Sequence, residues 1–322
     1  MTSQMESYKA ELSQRYWEYR RSKFPAGQAF FDQPHPRGVR PPVFCVGEAW
    51  RNVIVKPNAS QQETDRLLGL VSVLDRHKLF GSMNSSQALA QSVLGNLAIH
   101  GLLSSLTELL DDNGMTLFGK AQILDNFAME FKADYLGEPR RTSLDGYIGG
   151  DYRLAIECKF TEPDVGTCSR PRLTPADSKY ASEHCNRTYS KQRTRKARCT
   201  LTELGVLYWQ YVTRLFCWNS DQDLSPCPLD ANYQLVRNIL AIGVRPSGEV
   251  SSTDGHVVLI YDERNPAFQE GGKGFRAFAA TRLALREPAM LRKCSWQRVI
   301  QYMRNEGILS WLTEQLALKY GL

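Results

Sequence analysis

Asp145, Glu157 and Lys159 are the residues of this chain whose types and spacing point to chemistry. In the run Leu154 to Phe160, Leu154, Ile156, Cys158 and Phe160 fall on one face of a period-two strand, and Ala155, Glu157 and Lys159 on the other. One face is core; the other carries an acid beside a base. The run Ser143 to Ile148 sets Asp145 between apolar neighbours, twelve positions before Glu157, and Gly149-Gly150-Asp151 between the runs predicts a hairpin turn. Paired strands lie roughly 5 Å apart, so both carboxylates can reach one point at their shared end. Two carboxylates and an ammonium so arranged suit a hard divalent cation such as Mg²⁺, with Mn²⁺ as a substitute; Asp145 and Glu157 are the expected ligands. The reaction they suit is phosphodiester hydrolysis, with Lys159 positioning the attacking water and countering charge that develops in the transition state.

These residues need elements to hold them. A strand from Phe127 to Leu136 precedes the hairpin, with Glu130 on its polar face as a candidate further acid. Ahead of it, Asn84-Ser85-Ser86-Gln87 opens an apolar helix expected to run to Leu110; Gln87 and Gln91, one turn apart, can face a common polar site, and helix capping and direct substrate contact both stand open for Ser85, Ser86 and Gln87. After the hairpin, Asp230 caps a helix to Gly243 on which Gln234, Arg237 and Asn238 share a polar face. His256 to Tyr261 reads as a buried strand. Further helices are expected over residues 3–22, 60–79 and 202–218, with a strand near Trp50 to Val55 and two short C-terminal helices around Trp296 and Trp311.

Asp145, a hairpin turn and then Glu157-Cys158-Lys159 resemble the PD-(D/E)XK nuclease superfamily, the restriction-endonuclease-like proteins, with Leu144 where the nominal proline would stand. The order helix, three strands, helix, strand matches the αβββαβ core of that α/β fold, a mixed sheet flanked by helices. The combination of Ser85-Ser86-Gln87-Ala88, Leu144-Asp145-Gly146 with Glu157-Cys158-Lys159, Cys227-Pro228 followed by Tyr233 to Asn238, and Tyr261 to Pro266 is similar to one group of prokaryotic members. The resemblance implies a Mg²⁺-dependent DNA endonuclease in restriction, defence or repair. It assigns Gln234 to the acidic cluster or the water and Arg237 to a phosphate, and it divides the chain into a helical extension (1–83), a nuclease core (84–280) and a helical cap (281–322). An RNA-processing nuclease, a branched-DNA nuclease acting as a homodimer, and a non-cleaving nucleic-acid-binding protein on the same fold stand as alternatives.

The insertion at about 163–230 carries Arg187, Lys191, Arg193, Arg195, Lys196 and Arg198, six bases in twelve residues without an acid, as an expected phosphate-binding arm. The whole chain, 322 residues with 40 Lys+Arg against 34 Asp+Glu, is mildly basic, which permits a polyanionic partner. No membrane span or signal peptide is evident, so a cytoplasmic protein is expected. Eight cysteines show no CxxC pair, although Cys168, His184, Cys185 and Cys199 are near enough in sequence to raise the question of zinc.

Overall fold

Five strands form one mixed sheet in the order β1-β2-β3-β4-β5. They are β1 (Phe127–Ala133), β2 (Thr142–Ile148), β3 (Arg153–Cys158), β4 (Gly255–Tyr261) and β5 (Leu291–Ser295). The computed structural model describes every residue except 1, 27, 33–39, 120–125, 169–174, 177–184, 186, 188–198, 219–223 and 225. Strands β1, β2 and β3 pair antiparallel, whereas β4 lies parallel to β3 and β5 parallel to β4. Parallel strands need long crossovers, and helices supply them. Because helices then cover both faces, β3 and β4 are buried along their whole lengths, which is why Gly255 to Tyr261 reads as an unbroken apolar run.

The helices are α1 (Thr2–Lys23), α2 (Gln61–Gly69), α3 (Ser86–Ala90), α4 (Asn96–Ile99), α5 (Thr200–Glu203), α6 (Tyr208–Leu215), α7 (Pro228–Gly243), α8 (Lys273–Ala284), α9 (Trp296–Asn305) and α10 (Ser310–Tyr320). One apolar layer joins Tyr8, Leu12 and Tyr16 of α1 and Leu312, Leu316 and Tyr320 of α10 to Leu154, Ile156 and Cys158 of β3. The opposite layer joins Leu235, Ile239 and Ile242 of α7 and Phe278 of α8 to Ala155, Val257 and Leu259. Alternate residues of β3 therefore serve opposite cores, as the period-two pattern requires.

Several elements depart from expectation. Around Trp50 the chain forms a 3₁₀ turn, Val46–Asn52, because Asn52 bonds the Phe80 and Ser82 carbonyls and the buried Lys319 ammonium rather than a neighbouring strand. The capping box at Ser60 and Glu63 opens α2, which ends at Gly69 instead of continuing to residue 79. The long apolar helix passes through a π turn at Gln91–Gly95 and stops at Ile99, before Gly101 in the left-handed region. The helix expected over residues 202–218 is split at Gly205 (φ 92°), against which Gly137 packs too closely for any side chain at Gly137. A fifth strand, β5, emerges from the segment expected to be helical, and α8 forms where the sequence predicts no element.

His256 sits wholly buried in β4, one ring nitrogen 2.8 Å from the Leu117 carbonyl and the other 2.9 Å from the Tyr152 hydroxyl. Burial, followed by the charge of Arg292, pulls its pKa down to about 3, against a smaller upward pull from the Leu117 carbonyl. Its depressed pKa makes the fold favour the neutral ring. That stability is complete above the unfolded value near 6.5 and is lost as pH falls toward 3. Between pH 6.5 and 4 the free energy of unfolding should fall by up to about 1.4 kcal/mol per pH unit from this group alone. Denaturant titrations should show a shallower acid slope for His256→Gln; an unchanged slope would assign the acid sensitivity elsewhere.

Candidate active site

The backbone pairing of β2 with β3 ends at Gly146 and Ile156, and the strands part immediately beyond. Asp145 and Glu157 are the first residues past that fork. Parting strands leave an amide without its ladder carbonyl, and here a side chain takes the vacancy: the Cys158 N–H donates to Asp145 Oδ2 at 2.7 Å. The other edge of β3 remains paired, with the Lys159 N–H donating to the Ile260 carbonyl at 2.8 Å. The fork thus fixes Asp145 against the Glu157-Cys158-Lys159 backbone.

Glu157 is 1% exposed and is held from above by α7. Gln234 Nε2 donates to its Oε1 at 2.6 Å and Asn238 Nδ2 to its Oε2 at 2.7 Å. These residues are one helical turn apart, so their amides project over the same strand. Lys159 completes the arrangement, its Nζ 2.9 Å from Glu157 Oε1 and 2.8 Å from Gln234 Oε1. Burial works to discharge this ammonium, but Glu157, Glu162 and Asp145 outweigh burial and hold its pKa above the ordinary lysine value. Gly166 (φ 86°) packs on Gln234, where a Cβ would meet Oε1 at 2.7 Å, so glycine at this position keeps the amide in place.

Glu130 lies across β1 from Asp145 in register, between the paired couples Met129 with Gly146 and Phe131 with Leu144. Its φ of 52° is an uncommon conformation for a residue with a side chain. Gln87 Nε2 and Ser143 Oγ each donate to its carboxylate at 2.5 Å. Beside it, Ser86 Oγ donates to Glu162 Oε1 at 2.6 Å, and Glu162 Oε2 accepts the Phe160 N–H at 2.6 Å. Ser85 is the helix cap, as expected, whereas Ser86 and Gln87 grip the acids instead. Burial, and then Glu157 and Glu130, push the Asp145 carboxyl well above the carboxylate range; Lys159 and the Cys158 N–H oppose the rise.

This oxygen-rich set fits a hard cation, whose charge would relieve the repulsion that raises Asp145. Among the described residues no three His, Cys, Asp or Glu side chains are grouped closely enough to hold a metal between them. One or two protein oxygens with waters is a coordination that Mg²⁺ accepts.

Arg237, expected at a phosphate, turns away from Glu157 and lies over the Tyr233 ring, 5.6 Å from its centroid. Of the basic run, Arg187 is exposed, with its carbonyl accepting the Cys227 N–H at 2.6 Å. Lys191, Arg193, Arg195, Lys196 and Arg198 lie outside the described residues, as does His184. Burial pushes Cys227 up to about 12 against an opposing backbone hydrogen bond at Leu229, with smaller upward contributions from Cys199, Cys185 and Cys168.

A family model described as REase-ARP, restriction endonuclease associating with ARP, matches residues 26–321. The chain belongs to that family. No curated protein and no solved structure matches it. Membership makes this a restriction-endonuclease-like nuclease family, in agreement with the mixed α/β sheet. In this family member, Asn238, Glu162, Ser86 and Gln87 join the candidate site without having been assigned to it from sequence. Asn238 carried a signal, its one-turn spacing from Gln234. Gln87 carried one as well, its one-turn spacing from Gln91, but not its partner, since Glu130 is 43 residues away; Ser86, 76 residues from Glu162, carried none for this contact.

A raised carboxyl pKa makes folding favour the protonated acid, so the stability Asp145 contributes is present at low pH and is lost as pH rises through the elevated value. Without divalent cation at neutral pH, Asp145→Asn should therefore raise the melting temperature by about 2–4 °C, as expected for roughly 1 kcal/mol. Added Mg²⁺ should stabilise the wild type more than the variant. Calorimetry showing a less stable variant would mean that the carboxylate is needed by the fold itself.

Proposed function

We propose that this protein is a Mg²⁺-dependent DNA endonuclease of the PD-(D/E)XK type, with Mn²⁺ able to substitute. The observation that carries the reading is the fork between β2 and β3, where Asp145, Glu157 and Lys159 converge with Glu130 in register across β1. The family's restriction-endonuclease description supports DNA as the substrate. Asp145 and Glu157 would hold the cation, with Glu130 assigned as a further ligand, brought in by movement of its side chain, or as a base. When bound, the cation supplies Lewis acidity toward a non-bridging phosphate oxygen and lowers the pKa of a coordinated water.

The chain's own groups do the remaining work. Lys159, kept charged by its acidic neighbours, can orient the water and stabilise negative charge developing on the phosphoryl oxygens. Gln234 fixes both ends of the Glu157–Lys159 pair, accepting from the ammonium and donating to the carboxylate. Asn238 holds the second carboxylate oxygen, which keeps a further lone pair for a cation, whereas the first already faces Gln234 and Lys159. Arg237 and the basic run around Arg193 are assigned to the DNA backbone, with sequence-independent contacts.

Purified protein should convert supercoiled plasmid with Mg²⁺ or Mn²⁺, stop with EDTA, and lose at least about a hundredfold in rate on Lys159→Ala, the scale for removing one electrostatic stabiliser. Linear duplex, single-stranded DNA and RNA in the same series identify the preferred substrate. DNA binding without cleavage of any substrate would favour a non-cleaving role on this fold. In the arm, replacing Arg193, Arg195 and Lys196 together with Ala should weaken binding to every DNA. It should also flatten the slope of log K against log salt by about two to three units; an unchanged slope would remove the arm from the interface.

A further inference from the structure

Ser72 to Leu79 form a turn that is fixed yet leaves aliphatic side chains in water. Leu74 is 95% exposed, Val73 73% and Leu79 56%. Scattered exposed aliphatics need no explanation, but three within seven residues on a rigid turn do. The turn is held at many points. Ser72 caps a 3₁₀ turn, Val73–Asp75, through the Leu74 N–H, and the Asp75 N–H donates to the Ser72 carbonyl at 2.9 Å. Arg76 lies over the buried Phe80 ring, 5.0 Å from its centroid.

The same turn is attached to the candidate active site. Gln87 accepts the His77 N–H at 2.8 Å and donates to the Asp75 carbonyl at 3.1 Å, while the same amide nitrogen donates to Glu130. Asp75 pairs with Lys132 at 3.1 Å, and Lys132 donates to Ser143, which donates in turn to Glu130. A duplex whose phosphate reached Asp145 and Glu130 would lie against this rim. Lys78 and His77 are exposed beside the aliphatics, supplying positive charge and a donor for the flanking backbone.

We infer that Val73 and Leu74 form an apolar wedge that enters between base pairs of the duplex next to the cleaved phosphate, with Leu74 at its tip and Lys78 on the adjoining backbone. The inference rests on the reading of this protein as a DNA nuclease. Its physical basis is that a pre-ordered aliphatic turn gains the burial of both side chains without an ordering cost, and this gain offsets the unstacking of one base step. Opening a step kinks the duplex, which would swing the scissile backbone toward the acids.

The test uses the full chain with Ca²⁺ in place of Mg²⁺ to hold uncut DNA, and duplexes carrying 2-aminopurine at successive positions across the mapped cut. Wild-type protein should brighten the probe at one step, and Val73→Ser/Leu74→Ser should abolish that rise, bind about tenfold more weakly and be rescued by a mismatch at that step. Since both side chains are exposed, the double variant should keep the wild-type melting temperature. Lys78→Ala should lower affinity and the salt slope while leaving the brightening intact. A wild-type protein that cuts DNA without brightening any position, or a double variant that cuts and brightens as the wild type does, would overturn the wedge. So would a self-association lost in the double variant with the brightening preserved. A wild type that neither binds nor cuts DNA would overturn the nuclease reading, and the wedge with it.

Discussion

The candidate site depends on the fork at which β2 leaves β3. Up to Gly146 and Ile156 the two strands satisfy one another's amides; beyond it, Asp145 does so with its side chain. Were the ladder to continue, the Cys158 N–H would face a carbonyl and the carboxylate would have no fixed position. Strand pairing therefore both stops at the site and orients it. The cost is a carboxylate crowded by two others, which is tolerated because lysine and amide donors surround them.

Lysine charge and acid placement are coupled through this crowding. Burial without an acid partner disfavours an ammonium, and it lowers the Lys319 pKa well below the ordinary value where the Asn52 oxygens and the Tyr19 and Tyr320 rings face it. Lys159 is as deeply set but has Glu157, Glu162 and Asp145 around it, and its pKa moves the other way. Two buried lysines in one chain thus have pKa values pushed in opposite directions, because one has acids for neighbours and the other does not. The first stands ready for electrostatic work; the second secures the C-terminal helix.

Much of this was legible in residue order. Period-two alternation revealed β2 and β3 with their acids, and the polar face on an otherwise apolar helix marked α7 and Gln234. Arg237 and Asn238 were harder to separate, since adjacent residues differ by about 100° around a helix and only the packing decides which one meets the strand. Strand β5 was hidden because Leu291 and Cys294 are the apolar residues of a five-residue strand that also carries Arg292 and Lys293. Its strand character comes from β4 alongside it. The attachment of Ser86 and Gln87 to the acids was equally hidden, because it depends on how the first helix docks and not on local pattern.

Glu130 sets side-chain placement against backbone comfort. Its left-handed backbone is strained by about 1–2 kcal/mol relative to an ordinary strand residue, and a glycine would relieve it. The backbone conformation alone therefore does not favour a glutamate there. Its hydrogen bonds from Gln87 and Ser143 favour it, against repulsion from Asp145. The acid at this position is therefore held at a conformational cost that its hydrogen bonds to Gln87 and Ser143 must offset, whereas a glycine would sit there unstrained and leave both donors without their acceptor.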